Sequence, residues 1–135
     1  MITALDSSMI WAIVNQERGH DLVLQTLIHA AAEGPLVISP VAFAELAPSS
    51  PDASKLKDYL GRLDIVFDPI SPDAAHLAGS TFKNYRRAGG PREHLVPDFL
   101  IAAHAQVQAN RLATLDHGYL RRWFPDLPLL IPLSP

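Results

Sequence analysis

The chain has 135 residues, 48 % hydrophobic and 19 % charged, which fits one globular domain over residues 1–135 and excludes a disordered or fibrous chain. The net charge of −3 hides an asymmetry: residues 1–80 carry four Lys/Arg against ten Asp/Glu, and residues 81–135 carry seven against four. No apolar run is long enough to span a bilayer, no basic leader precedes the first apolar run, and there is no cysteine for disulfides or thiolate metal sites, so a cytoplasmic protein is expected.

In chain order, residues 1–5 read as a short strand. Residues 8–16 and 21–33 have helical apolar spacing, and Glu33-Gly34-Pro35 ends the second helix. Residues 36–38 form a strand. Ser39-Pro40 is a cap followed by proline at the first helical position, opening a helix to about Ala47. Pro48-Ser-Ser-Pro51 is a loop, residues 51–62 a helix and 65–67 a strand. Ser71-Pro72 repeats the cap-plus-proline signal and opens a helix to about Arg87, which Ala88-Gly-Gly-Pro91 breaks. A loop carries Arg92, Glu93 and His94. A strongly apolar helix starts at Val96-Pro97-Asp98 and runs to about Ala109. Residues 111–114 are a strand, 119–123 a helical turn and 129–131 a last strand. Strands alternating with helices predict an α/β sandwich around a mostly parallel sheet, its short apolar strands covered on both faces.

Four carboxylates interrupt apolar segments in this pattern. Asp6 ends the first strand and Asp116 follows the strand at 111–114. Glu45 lies in Val41-Ala-Phe-Ala-Glu-Leu-Ala47, and Asp98 stands in the first turn before Phe99-Leu-Ile-Ala-Ala103. Parallel sheets bind ligands beyond the carboxyl ends of their strands, so all four can meet at one edge. Two like charges about 4 Å apart repel by roughly 4 kcal/mol at an effective dielectric of about 20. A shared hard cation, Mg²⁺ or Mn²⁺, converts that repulsion into a binding site; no His/Cys set at zinc spacing is present.

Ser7, Ser8 and Thr114 supply hydroxyls beside Asp6 and Asp116, with N-capping of the first helix the favoured part for Ser7 and Ser8. The basic half is mostly arginine, suited to bidentate phosphate contacts; Arg86 and Arg87, with Arg92, are the candidate grips for a polyanion. His104 falls about 240° round its helix from Asp98 and points away from it. His94 and His117 lie near Asp98 and Asp116 in sequence and either could touch substrate, with structural or surface parts favoured; Trp123 and Phe124 are assigned core or dimer contacts.

Leu5-Asp6-Ser7-Ser8, Ala44-Glu45-Leu46, the run from Pro97-Asp98 to Ala105 and Leu112-Ala-Thr114-Leu-Asp116, in this order, resemble the PIN-domain nucleases, most of all the VapC-type toxins of toxin–antitoxin pairs. The closing segment 119–132 is similar too. The resemblance implies a Rossmann-like α/β/α sandwich and a Mg²⁺- or Mn²⁺-dependent endoribonuclease acting on transfer or ribosomal RNA. It implies that Asp6, Glu45, Asp98 and Asp116 form the catalytic and metal-binding quartet, supported by Ser8 and Thr114. It also implies a homodimer and a cognate antitoxin partner. The Ala-Pro-Ser-Ser-Pro stretch after Glu45 shortens a helix that often continues in the family, which alters the antitoxin-facing groove.

Three rivals are weaker. A phospho-accepting signalling domain needs adjacent acids after the first strand and a lysine at a late strand end; the lysines are Lys55, Lys57 and Lys83. A haloacid-type phosphatase needs Asp-x-Asp, and Asp6 is followed by Ser7-Ser8. A catalytically inactive PIN-like binding module would have no need of a complete acidic quartet.

Overall fold

A computed structural model describes residues 1–90, 96–118 and 120–132. The elements are β1 (Thr3–Leu5), α1 (Ser7–Val14), α2 (His20–Glu33), β2 (Leu36–Ile38), α3 (Pro40–Leu46), α4 (Ala53–Arg62), β3 (Ile65–Phe67), α5 (Pro72–Arg87), α6 (Val96–Gln108), β4 (Arg111–Ala113) and β5 (Leu129–Leu130). A 3₁₀ turn at Ala47–Ser49 follows α3.

The two cap-plus-proline signals are realised. Ser39 Oγ accepts from the Ala42 amide and Ser71 Oγ from the Ala74 amide, each at 3.2 Å, with proline in the first turn. The helix expected from Pro51 starts later, because Asp52 is the better cap: its Oδ1 accepts from the Lys55 amide at 2.8 Å.

The five strands form one wholly parallel sheet in the order β3-β2-β1-β4-β5. The chain steps outward from β1 through β2 to β3, then returns to lay β4 on the other side of β1. Right-handed crossovers therefore put the helices of the outward run and of the return on opposite faces, giving the α/β/α sandwich. The order reverses between β1 and β4, the point at which parallel sheets commonly bind ligands beyond the carboxyl ends of their strands.

Strands β1 and β2 are buried throughout, as expected of a sheet covered on both faces. The edge strand β3 departs from this: it pairs on one side only, and Val66 is 61 % and Phe67 39 % exposed. The core joins the inner strands to Met9, Ile10, Leu27, Leu46, Leu60, Phe99, Ile101, Phe124 and Leu127. Helices α5 and α6 are pinned at one end by a polar clamp. His104, 1 % exposed, pairs through Nε2 with Asp68 Oδ2 at 2.8 Å. Gln108 donates to the same Oδ2 and to the Pro69 carbonyl, and its Oε1 accepts from the Ser71 amide. At the other end Tyr85 stacks edge-on to Phe99 at 5.3 Å and Trp123 at 5.4 Å. Phe124 is 2 % exposed in the core.

Candidate active site

Strand register builds the centre of the site. Leu5 of β1 stands opposite Ala113 of β4, so the next residues, Asp6 and Thr114, leave the sheet side by side at the point where the strand order reverses. The Asp6 amide donates to the Ala113 carbonyl at 2.9 Å and extends the ladder by one bond. Asp6 is 7 % and Thr114 0 % exposed. A carboxylate at that depth needs donors. Asp6 Oδ2 takes two: the Ser8 hydroxyl at 2.6 Å and the Thr114 hydroxyl at 3.0 Å.

These hydroxyls also tie the neighbouring loop. Ser8 Oγ accepts from the Leu115 amide at 3.2 Å, and Thr114 Oγ1 accepts from the Asp116 amide at 3.1 Å. Asp116 is held beside Asp6 through Thr114. It is exposed, and its Oδ1 accepts from the Gly118 amide at 2.9 Å, closing a local turn.

Glu45 arrives from α3. Burial is the largest influence on its carboxyl and raises its pKa; the Ser7 hydroxyl, donating to Oε1 at 3.0 Å, lowers it, and the charges of Asp6 and Asp98 raise it further, with a net upward shift. Glu45 is exposed as a residue, so the effect lies at the carboxyl end that leans into the cluster. Asp98 is partly buried in the first turn of α6, where the helix dipole favours a negative charge. The fold thus brings Asp6 and Asp98 within electrostatic reach of Glu45, with Asp116 attached to Asp6 through Thr114.

The expected capping by Ser7 and Ser8 is not what the fold uses. Asp6 occupies the N-cap position of α1 without a side-chain cap bond, and both serines spend their hydroxyls on carboxylates. Ser8 and Thr114 both serve Asp6; Ser7 serves Glu45, a link that local sequence could not reveal because the partners are 38 residues apart.

The basic residues divide. Arg86 and Arg87 end α5, and the Tyr85–Phe99 contact sets that end against the first turn of α6, next to Asp98. Both are exposed; Arg86 donates to the Gly90 carbonyl at 2.9 Å, while among the described residues Arg87 makes no hydrogen bond or ion pair. Arg111 lies at the opposite end of the sheet, bonded to Thr3 Oγ1 and Glu33, so it is no part of this edge. Arg122 lies over the Trp123 ring at 5.0 Å and Arg121 donates to the Leu127 carbonyl. Arg92 and His94 lie outside the described residues. His104 turns to Asp68, away from the cluster.

The donor set suits a hard divalent cation. It is all oxygen, and among the described residues no lysine, arginine or histidine pairs with Asp6, Glu45 or Asp116. The Glu45 carboxyl is pushed up first by burial and then by the charges of Asp6 and Asp98. Among the described residues no three His, Cys, Asp or Glu side chains stand close enough together to hold a metal ion by themselves. Mg²⁺ does not require three, since it keeps several waters and uses one or two carboxylates together with substrate phosphate.

A family model described as the PIN domain matches residues 3–123. Ribonuclease VapC10 of Mycobacterium tuberculosis is 34 % identical over 90 residues, 67 % of this chain and 66 % of that protein, so the match spans just under two thirds of the relative's length. The fold is similar to VapBC2 from Rickettsia felis, solved bound to a DNA fragment from their promoter: TM-score 0.72 and 21 % identity, over 97 % of this chain and 98 % of that one. It is also similar to FitAcB from Neisseria gonorrhoeae, with a TM-score of 0.66 and 21 % identity over 98 % of each chain.

Proposed function

The chain belongs to the PIN domain family, and from that premise we propose that it is a divalent-metal-dependent endoribonuclease, the toxin of a toxin–antitoxin pair, working as a single domain. The observation that carries this reading is the gathering of Asp6 and Asp98 about Glu45 near the point where the sheet order reverses, close enough that their charges add to the effect of burial on the Glu45 carboxyl. The 34 % identity to a protein named a ribonuclease supports the substrate class.

Asp6, Asp98 and Asp116 would hold Mg²⁺ or Mn²⁺, with Glu45 as a further ligand or an orienter of water. The ion, when bound, supplies Lewis acidity and offsets the charge that develops on the phosphate. The chain's own residues do the positioning. Ser8 and Thr114 hold Asp6 Oδ2 in place, and the Thr114–Asp116 link fixes the start of the loop beside it. Glu45, leaning into the cluster, can orient a water by accepting a hydrogen bond from it. Arg86 and Arg87, with Arg92, would grip the RNA backbone, leaving the scissile phosphodiester in line with the attacking water. Transfer or ribosomal RNA is the proposed substrate. A homodimer, a cognate antitoxin partner and a cytoplasmic setting complete the proposal; the VapBC structures of similar fold are in keeping with a paired system. Among the described residues no helix is long and apolar enough to cross a membrane.

The test is cleavage of a mixed cellular RNA pool with Mg²⁺ or Mn²⁺. Asp6→Asn and Asp98→Asn should each lose on the order of 100-fold or more in rate, and excess chelator should abolish the wild-type activity. Unchanged cleavage by both variants would overturn the site assignment, a wild type that cleaves no RNA would leave an inactive binding module, and cleavage persisting in chelator would remove the metal.

A further inference from the structure

One hydroxyl of the cluster has a place that the nuclease reading does not use. Ser7 is the first residue of α1 and is 9 % exposed. Its Oγ reaches across to α3 and donates to Glu45 Oε1 at 3.0 Å. Glu45 has no other hydrogen-bond partner among the described residues. It is an exposed residue in the last turn of α3, with a long side chain free to point into water. Asp6 and Asp98 both repel its charge. Among the described residues the Ser7 hydroxyl is therefore the one attractive contact that opposes this repulsion. It does not duplicate Ser8 and Thr114, which both end on Asp6 Oδ2.

We propose that Ser7 is the positioning residue that keeps Glu45 in the acidic cluster, so that a divalent cation meets Glu45 together with Asp6 and Asp98. The proposal rests on the nuclease reading for its purpose, and on the Ser7–Glu45 bond for its geometry. Without the hydroxyl the Glu45 carboxylate turns to solvent and the cluster loses a donor. An outer hydrogen bond to a metal-ligating carboxylate commonly changes affinity or activity by about 10- to 100-fold.

The experiment uses the full chain with Ser7→Ala, Ser7→Thr, Glu45→Ala and the Ser7→Ala/Glu45→Ala double variant. Calorimetry gives Mn²⁺ affinity, and thermal unfolding in excess chelator gives a metal-free double-mutant cycle. Ser7→Ala should weaken Mn²⁺ binding about tenfold. Ser7→Thr, which keeps the hydroxyl, should restore most of it, and Ser7→Ala should add no loss once Glu45 is alanine. In chelator the Ser7 and Glu45 substitutions should be non-additive by about 2 °C in midpoint. Wild-type affinity in Ser7→Ala, an equal loss with and without Glu45, or additive midpoints would overturn the proposal. A wild-type chain that takes up no Mn²⁺ defeats the metal reading separately, and the cycle in chelator then decides whether Ser7 holds Glu45.

Discussion

Burial, then the charges of Asp6 and Asp98, push the Glu45 carboxyl above its ordinary value of 4.5, and the Ser7 hydroxyl pulls it only partly back. A carboxyl raised in the folded state holds its proton more readily there than in the unfolded chain, so ionising it costs the fold. The sign follows. Below the unfolded value both states are protonated and no cost exists; as pH rises through the interval up to the folded pKa, stability is lost, and the loss persists above it. Glu45→Gln keeps an acceptor for Ser7 but has no charge. In the absence of divalent cations its thermal midpoint should exceed the wild type's at neutral pH, and the difference should vanish about a unit below 4.5. Equal midpoints at neutral pH would mean that the Glu45 carboxylate is neither desolvated nor repelled by the other acids in the folded chain. At this scale the four acids are legible as candidates in the sequence, because Asp6, Glu45, Asp98 and Asp116 each abut or interrupt a run of apolar residues that gives a carboxylate no local reason to be there. Glu45 is the weakest of them alone, since one Glu in a helix is ordinarily solvated, and it leans most on the family resemblance. The part of Ser7 is illegible, since a serine at a helix start reads as a cap and its actual partner is brought close only by the packing of α1 on α3.

At the scale of elements, strands and helices are readable where local chemistry is strong. The Ser39 and Ser71 caps followed by proline set the starts of α3 and α5, and the apolar triplets of β2 and β3 fall where the sequence places them. The start of α4 is missed because Asp52 outcompetes Pro51, a choice between two adjacent helix-start signals. The sequence could not say where the arginines point: Arg111 belongs to the far end of the sheet, whereas Arg86 and Arg87 ride on the end of α5 that Tyr85 fastens to α6. Those two should also differ from each other. Arg87 has no protein partner among the described residues, so Arg87→Ala should weaken RNA binding and flatten the salt dependence of log affinity by about 0.7, the share of one phosphate contact on a single strand. Arg86 donates to the Gly90 carbonyl just past the helix end, so Arg86→Ala should also lower thermal stability by a few degrees. Affinity titrations at several salt concentrations, paired with melting curves, separate the two; an unchanged slope for Arg87→Ala makes it an ordinary surface residue.

For the whole molecule, the reversal of strand order between β1 and β4 explains why acids spread from residue 6 to residue 116 can share one edge. Each successive piece of the fold delivers one of them, so the site exists only in the folded chain. An unfolded chain has no such convergence of carboxylates and binds the cation weakly. Binding to the native state alone adds RT ln(1 + [L]/Kd) to stability, about 2.7 kcal/mol at 100 times Kd. Mn²⁺ should therefore raise the wild-type thermal midpoint progressively with concentration. Asp6→Asn should suppress that rise, because it removes the charge at the best-buried and best-anchored acid of the set. Asp68→Asn serves as the contrast: it weakens the His104 clamp between α6 and the start of α5, lowering the midpoint without metal, yet it leaves the acidic edge intact and should keep the full Mn²⁺-dependent rise. The two substitutions thus separate stability that comes from the packed sandwich from stability that comes through the acidic edge. A midpoint that ignores Mn²⁺ in the wild type, or rises equally in Asp6→Asn, would mean that the converging carboxylates are not a cation site.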